Sequence, residues 1–170
     1  MTRALLVVDI QQALIDLEPT NKDTYLAKVD KAIAHFRERG EEVIFVQHTE
    51  DDGELLALNS KGWQLYAGLD VRKDDKIIRK YFNSAFRKTN LESYLKEKAI
   101  DQLVVCGMQV EYCINATLTV GFEKEINLTV LSDAVTTYDR DNMTGQAIMD
   151  FYNQTIWPNF AKVIPTDRLN

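Results

Sequence analysis

Three residues of types that carry nucleophilic chemistry each stand where a short apolar run ends. Asp9 closes ALLVVD, Lys80 closes KIIRK, and Cys113 follows LVVCG by six positions. A thiol attacks a carbonyl as thiolate, so it needs a base for its proton and positive surroundings for its sulfur. Asp9 can take that proton and return it to a leaving amine. Lys80 can hold the sulfur's charge, and a helix starting at Cys113 adds the partial positive charge of unpaired backbone N–H groups. Taken singly, each residue reads as readily as something ordinary: a solvated strand end, a surface cation, a small buried hydrophobe. The three make a site only if the fold brings the ends of their strands together.

The two cysteines play different parts. Cys106 lies within the apolar run LVVC, where a buried inert thiol is expected, whereas Cys113 lies past Gly107 at a helix start. Free thiols are expected rather than a disulfide. With six residues between them and only two histidines, His35 and His48, in the chain, a structural zinc site is not expected.

The elements that must position these residues alternate in period. Apolar runs rich in β-branched residues at 4–8, 43–47, 76–79, 103–106, 128–131 and 162–164 read as strands, and several are apolar at successive positions, as strands covered on both faces must be. Between the first two, Tyr25, Leu26, Val29, Ala32, Ile33 and Phe36 form a stripe at helical spacing that Gly40 is placed to end. Thr89-Asn90-Leu91-Glu92 has the form of a capping box opening a second helix. A third helix is expected to begin close to Cys113, and a fourth to run over 143–155 until Pro158 stops it. Residues 49–75 are long, polar and weakly patterned, which in compact domains often marks a functional loop. The order predicts an α/β fold of three α/β/α layers around a central, mainly parallel six-stranded sheet of Rossmann-like kind, as a single domain over residues 1–170. Ligands in such folds sit at the carboxyl ends of the strands, the edge to which Asp9, Lys80 and Cys113 belong.

Composition excludes several classes. A formal net charge of −6, with basic residues scattered among acidic ones, argues against nucleic acid as a partner. The opening run MTRALLVVDI is too short for a signal h-region or a membrane span, so the expectation is a cytoplasmic protein without a membrane partner. There is no G-x-G-x-x-G and no P-loop to cradle phosphates. A receiver-type phosphoacceptor would need clustered acids after the first strand, which VVDIQQAL does not supply.

Taken together, ALLVVDIQQAL, KYFNSAF, VVCGMQVEYCINAT and VLSDAVTTYD resemble, in that order, four segments of the isochorismatase-like cysteine hydrolases, the family that includes nicotinamidases and other small-amide hydrolases. The resemblance implies catalytic roles for Asp9, Lys80 and Cys113, and an oxyanion hole made by the backbone N–H groups of Gln109 and Cys113. It also implies a cis peptide between Met108 and Gln109, and a homo-oligomer acting on a small-molecule substrate. The expected chemistry is amide hydrolysis through a thioester; vinyl-ether hydrolysis of the isochorismatase type, or a ligand-binding relative without catalysis, are the alternatives. Gln11, Trp63, Phe86 and Tyr112 lie in segments that should approach the strand edge and are candidate substrate-binding residues, with ordinary packing as the competing role for each. The chain departs from the family at Val110, where Thr is usual, and at Ala13-Leu14, where an aromatic is common. Nicotinamidases bind a divalent ion through an Asp-x-His and a further His. Here VQHTEDD offers His48 beside Glu50, Asp51 and Asp52 with no second histidine near, so no metal and no cofactor are expected, and His48 is expected to hydrogen-bond in the pocket or to be simply a satisfied strand-end residue.

Overall fold

The computed structural model describes residues 2–170. Six strands form one sheet: β1 (Arg3–Val8), β2 (Glu42–His48), β3 (Lys76–Lys80), β4 (Gln102–Met108), β5 (Asn127–Thr136) and β6 (Lys162–Ile164), in the order β3-β2-β1-β4-β5-β6. Every neighbouring pair is parallel. This is the α/β architecture expected. The strand order reverses direction between β1 and β4, which opens a crevice at their carboxyl ends.

Both faces of the sheet are covered because successive residues of the inner strands are apolar. Ala4, Leu6 and Val8 pack into one core with Ile44, Val105 and Leu118; Leu5 and Val7 point the other way, onto Val29, Ile33 and Phe36. Each such side chain removed from water contributes roughly 1.5–3 kcal/mol, so β1 alone anchors the middle of the molecule. On one face α2 (Lys22–Glu38) lays down the predicted stripe and ends before Gly40, whose φ of +66° suits glycine. The short α1 (Gln12–Asp16) was not anticipated.

Three expected helices are present but differ in detail. Only half of the capping box forms before α3 (Leu91–Glu97). The Thr89 oxygen accepts from the Leu91 N–H at 3.3 Å while its hydroxyl donates to the Ala85 carbonyl at 2.6 Å, but Glu92 pairs with Lys96 and Lys124 instead of turning back to the backbone. The helix expected over 143–155 is α5 (Gly145–Phe151), capped by Thr144 through the Ala147 N–H; it widens into a π-helical turn over Tyr152–Ile156 before Pro158. The helix expected at Cys113 is a π-helical turn over Val110–Ile114 that leads into α4 (Asn115–Glu123). Trp157 is fully buried, its indole N–H donating to Asn115 Oδ1 at 3.3 Å, which makes it a core residue that ties this region to the start of α4.

The loop over residues 49–75 is pinned from below. Gln11 donates to the carbonyls of His48 (2.9 Å) and Trp63 (2.8 Å) and accepts from the His48 N–H (2.9 Å); the Trp63 indole N–H donates to Thr49. One amide side chain thus fastens the end of β2 to the middle of the loop.

Candidate active site

Asp9 is the first residue after β1. Its N–H continues the ladder to the Val46 carbonyl at 3.0 Å, while its φ of +53° turns the chain out of the sheet, a conformation Asp tolerates better than bulkier residues. Lys80 is the last residue of β3 and stands in register opposite His48 on β2. Gly107 ends the close approach of β4 to β1. At φ +123° it has no room for a side chain, since a Cβ there would lie 2.1 Å from the Val8 carbonyl oxygen. The next peptide, Met108-Gln109, is cis. Beyond it the π-turn carries Cys113 back over the strand ends.

Asp9, Lys80 and Cys113 therefore meet, and the Lys80 ammonium is their hub. Its Nζ lies 2.7 Å from Asp9 Oδ2, 3.2 Å from Cys113 Sγ and 3.0 Å from His48 Nδ1. An ammonium has three N–H bonds, and three acceptors surround this one. Lys80 is 0% exposed and Asp9 1% exposed, so the pair holds its charges away from water. Asp9 Oδ2 takes the Lys80 contact, and Oδ1 has no hydrogen-bond partner.

Burial pushes the Cys113 thiol up, Asp9 pushes it further and Lys80 only partly opposes them, leaving it well above its ordinary value. At rest the sulfur is protonated beside the Asp9 carboxylate. Burial pulls Lys80 down, but Asp9 and Cys113 more than offset it, so the ammonium keeps its charge. Burial and the neighbouring ammonium hold His48 below its ordinary value, against weaker pulls from Asp9, Glu50 and the Phe82 carbonyl, and the ring accepts from Lys80 as neutral imidazole. Cys106 is wholly buried inside β4, and burial holds its thiol far up.

A ligand atom each from Asp9, His48 and Cys113 lie within 4.8 Å of one another, a set a transition metal could use. Lys80 Nζ contacts all three, however, and a dication in their midst would face the ammonium at close range. The residues present do not suit a resident metal.

The segment expected to offer oxyanion donors is a π-turn over Val110–Ile114. The Gln109 carbonyl accepts the N–H groups of Tyr112 (3.2 Å) and Ile114 (3.1 Å) and passes over that of Cys113 between them. The Gln109 side chain is clamped by Arg140 Nη2 at 2.7 Å, and Arg140 also grips Glu111, which accepts from the Thr137 hydroxyl at 2.9 Å. Val110 is fully buried in the core, so the turn is held from outside by this polar cluster rather than by a hydroxyl at that position.

The remaining candidates fall elsewhere. Gln11 is 0% exposed with its amide committed to the loop, so it is a strut and does not face a ligand. Trp63 is buried, with Arg79 stacked on its ring. Phe86 belongs to the core beneath α4, where Ala85 N–H donates to Thr117 Oγ1 and fixes the KYFNSAF segment. Tyr112 is exposed and lies below Arg140 in a separate hollow of about 660 Å³. Asp133 accepts from the Thr166 N–H and hydroxyl, tying β5 to the C-terminal turn. One neighbour of the thiol and one residue bracing the π-turn went unrecognised in the sequence. Asn83, three residues beyond Lys80, brings its Oδ1 to 4.0 Å from Cys113 Sγ and could have been suspected from that spacing. Arg140 carries no local signal, since it acts on a residue 31 positions away.

Known proteins bear on this geometry. A family model described as the isochorismatase domain matches residues 3–168. An uncharacterized isochorismatase family protein of Bacillus subtilis (strain 168) is 29% identical over 98% of this chain and 94% of its own. Ureidoacrylate amidohydrolase of Pseudomonas syringae pv. syringae (strain B728a) is 27% identical over 77% of this chain and 69% of its own. The crystal structure of an isochorismatase family protein matches with a TM-score of 0.89 at 30% identity, covering 95% of this chain and 97% of that one.

Proposed function

This chain belongs to the isochorismatase family, and on that premise we propose that it is a cysteine hydrolase that cleaves the C–N bond of a small amide through a thioester on Cys113. The observation that carries the reading is the Lys80 ammonium in contact with both the Asp9 carboxylate (2.7 Å) and the Cys113 sulfur (3.2 Å). A relative named for amide hydrolysis, the ureidoacrylate amidohydrolase, supports the reaction class.

The resting thiol is protonated, so proton loss accompanies attack. Asp9 takes the Sγ proton as the sulfur bonds to the carbonyl carbon, and the π electrons move onto oxygen. The N–H groups of Gln109 and Cys113 receive that oxyanion. Its collapse breaks the C–N bond, and the departing amine leaves with the proton from Asp9. Asp9 then deprotonates a water that attacks the thioester, the C–S bond breaks, and the thiol regains its proton as the acid departs. Lys80 stays cationic and offsets the negative charge as it passes from Asp9 to the substrate oxygen and back, and His48 orients Lys80. No step calls for a metal or cofactor.

Among the described residues no helix is long and apolar enough to cross a membrane. We read the protein as a homo-oligomer, since Tyr112, Met143 and Phe151 leave large exposed apolar surfaces around one hollow; sedimentation velocity tests this.

The deciding experiment measures ammonia release from a panel of small primary amides, with and without chelator, and looks for an acyl adduct on Cys113 by mass spectrometry after rapid quench. Hydrolysis that disappears in Cys113→Ala, persists in Cys106→Ala and ignores chelator is expected. Turnover surviving Cys113→Ala would sink the thioester route.

A further inference from the structure

Beside the thiol lies a cavity of about 690 Å³, within the range of small-molecule sites, to which His48, Tyr81, Phe82, Asn83, Arg87 and Val120 contribute. Asn83 joins it to the reaction centre, its Oδ1 lying 4.0 Å from Cys113 Sγ. Much of the wall is apolar, and no acidic side chain lines it. In a chain with a net charge of −6 this wall is thus free of the acids that line most of the other hollows.

The cavity does contain a cation. Arg87 lies with its guanidinium carbon 3.9 Å from the centroid of the Phe82 ring, and Lys88 stands 5.5 Å from the same centroid. Arg3, Arg37, Arg72 and Arg140 each pair with a carboxylate. Arg87 instead faces an aromatic ring and, among the described residues, no carboxylate within ion-pairing distance. Stacking on Phe82 holds the plane of the guanidinium without using its N–H donors, which leaves a planar fork open for a bidentate anion.

Resting on the amidase reading, the geometry points to a substrate class: a small amide whose other end is a carboxylate, the carbonyl presented to Cys113 and the carboxylate to Arg87, with the chain between them against the apolar wall. Arg87 is the residue that selects it. No acid lines the cavity, and the Asp9 charge near the thiol is paired with Lys80, so little repulsion offsets the attraction and the preference arises both from what is present and from what is missing.

The test compares succinamate with butyramide, which match in length and differ in the terminal charge. Wild type should hydrolyse succinamate with the higher kcat/KM. That preference should fall about tenfold in Arg87→Gln, recover in part in Arg87→Lys, which restores a point charge but no fork, and shrink as salt is raised. Binding of succinamate to Cys113→Ser, measured by calorimetry with and without Arg87→Gln, reads the same subsite without turnover. Equal hydrolysis of both amides, unmoved by Arg87→Gln, overturns the anion preference and leaves the amidase reading standing. Arg87-dependent binding without hydrolysis by the wild type overturns the amidase reading and keeps the anion subsite. No binding of succinamate and no turnover of either amide overturns both, whereas turnover of butyramide alone overturns only the anion preference.

Discussion

Nδ1 of His48 lies 3.0 Å from Nζ of Lys80, as the third acceptor around an ammonium that also touches Asp9 and Cys113. The register of β2 on β3 makes this contact, since His48 and Lys80 are directly paired strand ends. A lysine chain is flexible, and the imidazole limits where its charge can sit.

Replacing His48 with Phe should therefore lower kcat by about tenfold to a hundredfold, the equivalent of one lost hydrogen bond to a charged group at roughly 1.5–3 kcal/mol. His48→Asn, whose Oδ1 can stand where Nδ1 stood, should recover most of the loss; a residue acting only by filling space would not show that rescue. A pH effect on stability accompanies it. The folded ring titrates below its ordinary value because of burial and Lys80, so between about 6.5 and that lower value the unfolded chain binds more protons. Stability should fall as pH drops below about 6.5, with a shallower slope in His48→Asn, as followed by urea titration.

Asp9 should have opposite effects on two reactions of the same sulfur. Asp9 raises the Cys113 thiol and Lys80 lowers it. Asp9→Asn removes the first influence and keeps the second, so alkylation of Cys113 by iodoacetamide at pH 7.5 should speed up, by about tenfold for each pKa unit released. Amide hydrolysis should slow by about 10²–10⁴, the usual contribution of a general acid–base group. If alkylation and hydrolysis fall together, Asp9 merely supports the site.

The sheet edge that gathers these groups was readable from the sequence because strand ends are local events: the apolar runs of β1, β3 and β4 stop where Asp9, Lys80 and Gly107 stand, and parallel crossovers bring such ends to one side. The π-turn was not readable. Val110, Tyr112 and Ile114 fit an ordinary helix start, and only the Gln109 carbonyl, by accepting from Tyr112 and Ile114, reveals the wider turn. Side-chain competition halved the capping box: Thr89 still accepts from the Leu91 N–H, but two lysines take Glu92. Gln11 showed the limit of reading proximity as role: it lies in the right segment, but its amide is spent on the backbone of the loop.

Arg140 holds the segment proposed to offer the oxyanion donors, through Gln109 Oε1 and Glu111. These donors act most strongly on charge that develops in the transition state, so loosening them should lower kcat and leave KM little changed. Arg140→Gln should cost about tenfold in kcat, a fraction of the 10²–10³ that follows outright loss of an oxyanion donor. Because the Arg140–Glu111 pair is partly exposed, its loss should barely move the melting temperature, exposed pairs contributing about 0–1 kcal/mol. Steady-state kinetics beside a thermal melt separate the positioning role from a structural one.

The position of the Lys80 ammonium among Asp9, His48 and Cys113 gives a final prediction. In the wild type the place a cation would take is already filled by Lys80 Nζ. Lys80→Ala empties it and leaves a carboxylate, an imidazole and a thiol whose ligand atoms lie within 4.8 Å of one another, a set suited to Zn²⁺ with a fourth position open to water. The variant alone should be destabilised by about 3–5 kcal/mol, because Asp9 is left buried and unpaired. Zinc should restore its melting temperature, by about 2.7 kcal/mol of stabilisation at a hundredfold excess over the dissociation constant, and should protect Cys113 from alkylation, since binding makes the sulfur a metal ligand. The wild type should show neither effect at the same zinc concentration. Equal rescue and protection in both proteins would mean that the ammonium yields its place to a metal, and the metal-free reading of the site would have to be abandoned.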